Sequence, residues 1–299
     1  MKRRDQQCST NQLCQWFGIS RQGYYGHKRL TERRKQAEAP VLEMVRQIRY
    51  QQPRIGVRKL HYMLGEMGIH VRIQHADRDQ HRALHYMLGE MGIHVGRDRL
   101  FETLREHQML VQRRKRYTRT TDSRHPFRYY PNLIKDIRIE RPGQVYVSDI
   151  TYIHTLEGFQ YLALITDYSS RKIMGYDLSN SLSIDGSLRA LKMALRQTKE
   201  PSELIHHSDR GIQYCCKDYI KILQKNKIRI SMTEQDHVYE NALAERVNGI
   251  LKDEFCLGET LQSKEIARAL VKESVKIYNQ NRPHMALGYR TPESVYVAY

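Results

Sequence analysis

Residues 142–177 read PGQVYVSDITYIHTLEGFQYLALITDYSSRKIMGYD, three extended segments in succession. GQVYVSDITYIHT alternates and is rich in β-branched residues, which is the pattern of a strand. GFQYLALITDYSS and RKIMGYDLS supply two more strands. Outward from there, SIDGSLRALKMALRQT has the spacing of an amphipathic helix, and Pro201 ends it. ELIHHSD is a short strand, GIQYCCKDYIKILQKN a helix and KIRISMT a fifth strand. ENALAERVNGILKDEF and KEIARALVKESVKIYNQN are helices. A three-stranded meander followed by alternating helices and strands predicts an α/β domain, with a mixed five-stranded sheet and flanking helices. In the first strand Asp149 shares a face with Val147 and Thr151, while Ser148 and Ile150 point the other way.

Upstream the grammar is helical. In STNQLCQWFGISRQGYYGHKR (9–29), Ser9 or Thr10 caps a short helix, with Leu13, Trp16 and Phe17 as its apolar face. Gly18 breaks it, and Ser20 caps a second helix opening with Arg21. Helix, glycine turn and a helix with polar donors at its start is the pattern of a helix-turn-helix, or of a plain helical hairpin. Residues 30–39 are polar and read as a linker. Val41, Leu42, Val45 and Ile48 then recur at helical spacing. LHYMLGEMGIHV at 60–71 is repeated without change at 84–95, an offset of 24 residues. Two copies do not make a solenoid; they read as one helix-and-turn duplicated in tandem. Leu60, Leu64 and Met67 form its stripe, and Leu84, Leu88 and Met91 repeat it. Only the second copy runs into GRDRLFETLREH, a second helix that presents Arg97 and Arg99 to DNA. Four segments follow: a helix-turn-helix-like module (1–38), a helical DNA-recognition module carrying the duplication (40–110), a basic linker (111–140) and the α/β domain with a C-terminal helical extension (141–299).

The net charge is +17, and it is unevenly placed: residues 1–140 carry 29 Lys and Arg against 14 Asp and Glu, whereas 141–299 carry 21 against 19. A basic half of that density suits a polyanion, and nucleic acid is the natural one. The linker is densest, with Arg113, Arg114, Lys115 and Arg116 in succession and aromatics interleaved. Residues 111–131 are expected to form an extended connector lying along phosphates, or a disordered linker until DNA is present. There is no apolar run of the ~18 residues a membrane helix needs and no apolar segment of a secretion signal, so a cytoplasmic protein without a membrane partner is expected. The five cysteines (Cys8, Cys14, Cys215, Cys216 and Cys256) have no zinc-ligand spacing and read as reduced thiols.

Three acids stand at telling places: Asp149 in the first strand, Asp209 at the end of the fourth, and Glu245 on the helix ENALAER. Thirty-five residues separate Asp209 from Glu245. Carboxylates converging at one sheet edge repel one another unless a hard cation joins them, and Mg²⁺ suits a few carboxylates plus phosphate. VYVSDITYI, YLALITDYSSRKIMGY, HHSDRGIQY, NALAER and YNQNRPHMALGYRTPESV together resemble the integrase catalytic core of bacterial transposases of the insertion-sequence-three family, over roughly residues 40–298. The resemblance implies an RNase H-like fold, with Asp149, Asp209 and Glu245 as catalytic carboxylates and as ligands of Mg²⁺ or Mn²⁺, two ions per site. It implies Lys252, seven residues past Glu245, as a contact to a DNA phosphate, with Asn248 between them on the same face. It further implies double-stranded DNA as partner (terminal inverted repeats and target), a homo-oligomer on DNA, and a place at the bacterial nucleoid. Whether an upstream-frame protein takes part is left open. Departures are Glu240-Asn241 where the family has Asp-Asn, Arg246 where Ser is common, and a loop EQDHVY without the usual glycines. Asp167 reads as a strand-end support or a fourth acid near the metals, His206 and His207 as packed strand histidines with one of them open as a neighbour of the site, and His284 as structural or a DNA contact. Two other readings stay open: an RNase H-like nuclease, and a DNA-binding relic inactive for transposition.

Overall fold

A computed structural model of the chain describes residues 9–67, 95–112, 128–234 and 241–299. The chain divides into two units, residues 1–48 with 60–110, and 49–59 with 111–299.

In the first unit, α1 (Thr10–Trp16) opens with a capping box: the Gln12 amide donates to Ser9 Oγ, and the Ser9 amide donates to Gln12 Oε1. Gly18, at φ +64°, makes the left-handed turn, and Ser20 Oγ accepts from the Gly23 amide at the start of α2 (Arg21–Gln51). Leu13, Trp16 and Phe17, expected as a packed apolar face, are exposed. Residues 30–39, expected as a linker, are helix, and α2 runs on through Pro40. The reason is propensity: ERRKQAEA consists of good helix formers, and polar residues suit an exposed helix as well as a linker. Val41, Leu42, Val45 and Ile48 are buried, as their spacing requires. Next come α3 (Val57–Glu66) and α4 (Arg97–Glu106). Leu60 and Leu64 are fully buried, but Met67, assigned to the same stripe, is half exposed. Residues 68–71 of the first copy and 84–94 of the second lie outside the described residues.

The second unit holds the sheet: β1 (Val145–Thr155), β2 (Gly158–Asp167), β3 (Ile173–Ser179), β4 (Ile205–Ser208) and β5 (Arg229–Met232). Its order is β3-β2-β1-β4-β5. The first three strands pair antiparallel as a meander, and β4 and β5 add in parallel on the far side of β1. Helix α5 (Ile184–Arg196) follows β3. The helix expected over 211–226 is two, α6 (Ile212–Cys215) and α7 (Lys217–Lys225), because Cys216 is extended (φ −67°, ψ 143°). Then come α8 (Ala242–Glu254), α9 (Lys264–Gln280) and α10 (Pro292–Val297). Two cores cover the two faces. Tyr146, Ile165 and Met174 pack with Leu191, Tyr214, Tyr219 and Leu223 from α5–α7. Ile153, Leu162 and Leu164 pack with Val247, Leu251, Val271 and Tyr278 from α8 and α9. Strand alternation puts Asp149 on the α8 face.

Residues 113–127 of the expected connector lie outside the described residues; residues 128–140, the end of the stretch read as a basic linker, are placed on the α/β domain. They run beside β5, with the Met232 amide donating to the Pro131 carbonyl and the Leu133 amide to Ser231 Oγ. Their apolar Leu133, Ile134 and Ile139 explain this, since they pack against Val145, Val147 and Ile205. Asp167, at the end of β2, accepts from the Gly143 amide at 2.8 Å and from the Ser170 amide and hydroxyl at 2.7 and 2.6 Å. That is the support role read for it.

Helix α5 lies so close to β3 that only glycine fits at 175. A Cβ there would stand 2.1 Å from the Ala190 carbonyl oxygen and 2.8 Å from the Ala194 nitrogen. Both are helix backbone and cannot rotate away. Gly175→Ala is therefore expected to destabilise the unit by about 3 kcal/mol, at the upper end for overpacking, read as a lower urea midpoint.

Candidate active site

The site begins with strand pairing. β1 and β4 are parallel with Ser148 opposite Ser208; β4 ends there, so Asp209 follows directly beyond it, while Asp149 stays within β1, opposite Leu164 of β2, next to the point where β4 stops. Neighbouring strands lie roughly 4.8 Å apart. Beneath this seam His206 Nε2 is shared between Ser148 Oγ at 2.7 Å and Tyr219 Oη at 2.9 Å. Burial presses this imidazole down to about 3, so it is neutral and packed, as read from sequence. His207 is likewise buried, with Nδ1 against Ser231 Oγ at 2.8 Å.

Helix α8 is fixed over the same edge by two asparagines. Asn241, at its N-terminus, is buried, and its Nδ2 donates to the Ser148 carbonyl at 3.0 Å. Asn248 is buried, and its Nδ2 donates to Asp149 Oδ2 at 2.8 Å. Ala244 packs against Val147 and Ile205, so Glu245 lies one residue from the helix–sheet contact, exposed on α8. Burial and the charge of Asp209 push the Asp149 carboxyl up to about 7. The bonds from Asn248 and the Ile150 amide oppose this, and the charge of Glu245 adds the smallest lift. Asp209 thus acts on Asp149 more strongly than Glu245 does. Among the described residues no three His, Cys, Asp or Glu side chains form a closed metal-holding group. Asp149 lies on the sheet with Asp209 just past the end of β4, and Glu245 is on the helix above.

The remaining expected site residues fare differently. Lys252 is on α8 with Nζ 4.7 Å from the Tyr152 ring centroid. Burial lowers its pKa, and the charge of Asp149 raises it. Asn248, expected as a DNA contact, spends its amide on Asp149, because a short side chain three residues after Glu245 reaches the strand. Arg21 is exposed at the start of α2. Arg97 pairs with its neighbour Asp98 at 2.8 Å. Arg99 is engaged within its own unit by Glu38, Glu102 and Glu106, so it is not a free cation for phosphate. Arg113, Arg114, Lys115, Arg116 and the loop 235–240 lie outside the described residues. His284 is buried against Tyr278, and burial with the neighbouring Arg282 charge presses it down to about 2, a structural role. Asn241 was missed as a positioning residue; its signal was its place just ahead of the helix ALAER, where Asn is a common cap.

Two family models described as "Integrase core domain" match residues 139–237 and 226–292. The chain is 33% identical over 285 residues to the "Insertion element IS600 uncharacterized 31 kDa protein" of Shigella sonnei, covering 94% of this chain and 96% of that protein. It is 34% identical over 193 residues to "Transposase InsF for insertion sequence IS3A" of Escherichia coli K12, covering 64% of this chain and 67% of that protein. The chain belongs to the IS3 family of insertion-sequence transposases. Among solved structures, the HTLV-2 integrase catalytic core domain in complex with magnesium is 14% identical, covering 53% of this chain and 99% of that one, with a TM-score of 0.42. This transposase is a DDE-type polynucleotidyl transferase with an integrase core. No helix among its described residues is long and apolar enough to cross a membrane.

Proposed function

We propose that this transposase cuts DNA at the ends of an insertion sequence and joins the freed 3′-hydroxyl to a second phosphodiester, with Asp149, Asp209 and Glu245 as its catalytic carboxylates. The observation that carries this is the place of Asp149 on β1 beside the end of β4, where Asp209 follows and its charge acts on Asp149, under a helix that bonds Asp149 through Asn248 and bears Glu245. The group suits a hard divalent cation. Its donors are all oxygens, and Asp149 is strained toward protonation by burial and by its neighbour's charge, a strain a cation relieves. Mg²⁺ or Mn²⁺ held there, two ions in this reading, would supply activation of the attacking oxygen and stabilisation of the leaving one.

The chain's own residues do the rest. Asn248 holds one oxygen of Asp149 and leaves the other toward the Ile150 amide, which donates at 2.9 Å. Asn241 anchors the helix to the catalytic strand, so that Glu245 keeps its height over the sheet. Lys252, two turns from Glu245, offers an ammonium to a DNA phosphate beside the carboxylates. DNA bearing the terminal repeats, a homo-oligomer assembled on it, and a working place at the nucleoid complete the reading, and the basic N-terminal half supports it.

The assignment of Asn248 has its own test. A hydrogen bond to a charged group contributes about 1.5–3 kcal/mol. Asn248→Ala is therefore expected to slow end cleavage about 10- to 100-fold while leaving affinity for the DNA end unchanged. Measured binding that falls in step with cleavage would return Asn248 to the role of a DNA contact. The whole function is tested by cleavage and joining of labelled element ends with Mg²⁺ or Mn²⁺.

A further inference from the structure

Three residues beyond Asp149 the catalytic strand changes character. Tyr152 is 42% exposed and Phe159, on the partner strand, 49%, although both are large enough to be core residues. Their rings meet edge to face at 5.7 Å, with an interplanar angle of 83°. His154, the register partner of Phe159, adds a third ring at 4.7 Å. The hairpin under them is tied down along its outer edge. The Leu156 amide donates to the Leu261 carbonyl and the Leu261 amide to the His154 carbonyl, each at 2.9 Å. His154 Nδ1 meets Thr260 Oγ1 at 3.0 Å, and the Lys264 amide donates to Glu157 Oε2 at 3.0 Å. The result is a fixed, solvent-facing aromatic row.

That row is electrostatically continuous with the active site. The Lys252 ammonium lies over the Tyr152 ring, and the same ammonium feels the charge of Asp149. Three residues of strand span about 10 Å, and stacked DNA rises about 3.4 Å per nucleotide along one strand. Strand alternation turns Tyr152 to the face opposite Asp149, so the link between them is Lys252, and a strand with one phosphate at the carboxylates brings a base to the rings where it passes this ammonium. Aromatic faces beside a cation are the chemistry that holds unpaired bases without regard to sequence.

We propose that Tyr152, His154 and Phe159 form a stacking platform for an unpaired nucleobase of the DNA strand held at Asp149, with Lys252 on the phosphate between them. The proposal rests on the active-site reading above. A cross-strand aromatic pair that merely stabilises its hairpin would alter thermal stability and leave the DNA contact untouched.

The test uses the full chain and a forked duplex ending in unpaired 2-aminopurine nucleotides, with a fully paired duplex beside it. Binding is expected to quench the 2-aminopurine, and the fork is expected to bind about tenfold more tightly than the paired duplex, the size of one stacked base. The double variant Tyr152→Leu, Phe159→Leu should lose quenching and preference while keeping its affinity for the paired duplex. Phe159→Trp should keep both, which separates stacking from a folding defect. No quenching by the wild-type chain, or unchanged quenching by the double variant, overturns the platform. So does a double variant that changes its oligomeric state without DNA and still quenches, which would place a second copy on the rings. Cleavage of the same DNA is read alongside. Cleavage without quenching removes the platform and leaves the carboxylates, whereas quenching without cleavage keeps the platform and removes the carboxylate assignment.

Discussion

Asp209→Asn and Glu245→Gln are each expected to lower cleavage and joining at the element's ends by about 10³-fold or more. A carboxylate that holds a catalytic cation commands several kcal/mol of transition-state stabilisation, and each 1.36 kcal/mol is roughly tenfold in rate. The two groups act on one centre, so their losses should not multiply. The double variant is expected to fall no more than a few-fold below either single one, as groups that act as a unit do. Two independent contributions would instead reach about 10⁶-fold. Structure should survive the change at 209. Asn has nearly the shape of Asp, and removing the charge of Asp209 relieves the repulsion that lifts Asp149. The thermal midpoint without added metal should hold or rise, and binding of the DNA end should persist. A variant that binds DNA, melts normally and does not cut locates the loss in the chemistry. Single-turnover assays on labelled ends read all of these outcomes.

Glu254→Gln is expected to be the most damaging single change to the fold of the second unit, at about 3–5 kcal/mol, the range for removing one partner of a buried ion pair. Glu254 closes α8, the helix that carries Glu245. Its carboxylate accepts two bonds from Arg282 at 2.8 Å and one from Lys59 at 2.6 Å, and its carbonyl accepts from the Arg54 amide at 3.1 Å. Arg282 is only 2% exposed, so the variant strands a buried guanidinium. Burial works against the charged carboxylate, but Arg282 and Lys59 overcome it and hold Glu254 down at about 2, against an ordinary 4.5. The stability this contributes is present above pH 4.5 and is lost as the pH falls toward 2. The gap in urea midpoint between wild type and variant should therefore be full at pH 7 and close progressively below about pH 4.5. Lys59 runs the other way. Burial and the Arg282 charge press its ammonium down to about 8, so its own contribution improves as the pH rises from 8 toward 10.5. A gap that stays constant from pH 7 to pH 3 would show that the network does not act through the ionised carboxylate.

The sheet was legible in the sequence because half-buried strands alternate and their helices repeat near 3.6 residues. The stretch 142–177 shows the first pattern and 183–198 the second. The three proposed carboxylates were picked out by resemblance to a family, and the structure puts Asp149 within β1, Asp209 just past β4 and Glu245 on α8, the elements expected for them. What the residues hid was tertiary. The polar run 30–39 has the composition of a linker and the propensity of a helix, and helix prevailed. Cys216 breaks a helix whose apolar spacing is continuous across it. Asn248 stands on the face of Glu245 and Lys252, which suits a DNA contact and a buried bond to Asp149 equally well, until β1 is placed beneath α8. Arg99 reads as a cation open to phosphate until Glu38, sixty-one residues away, is brought to it. The Glu254–Arg282–Lys59 network joins three distant segments and has no local signature at all.

Asp149, Asp209 and Glu245 are proposed to form a single cation-dependent centre for cutting DNA. The most direct measurement is single-turnover cleavage of a labelled element end by the wild-type chain and by Asp149→Asn across a series of Mg²⁺ concentrations. The expected result is a wild-type rate that rises with Mg²⁺ to a plateau, and a variant rate that stays at background throughout while the DNA end remains bound. Cleavage by Asp149→Asn at the wild-type rate and with the wild-type Mg²⁺ dependence would rule out such a centre.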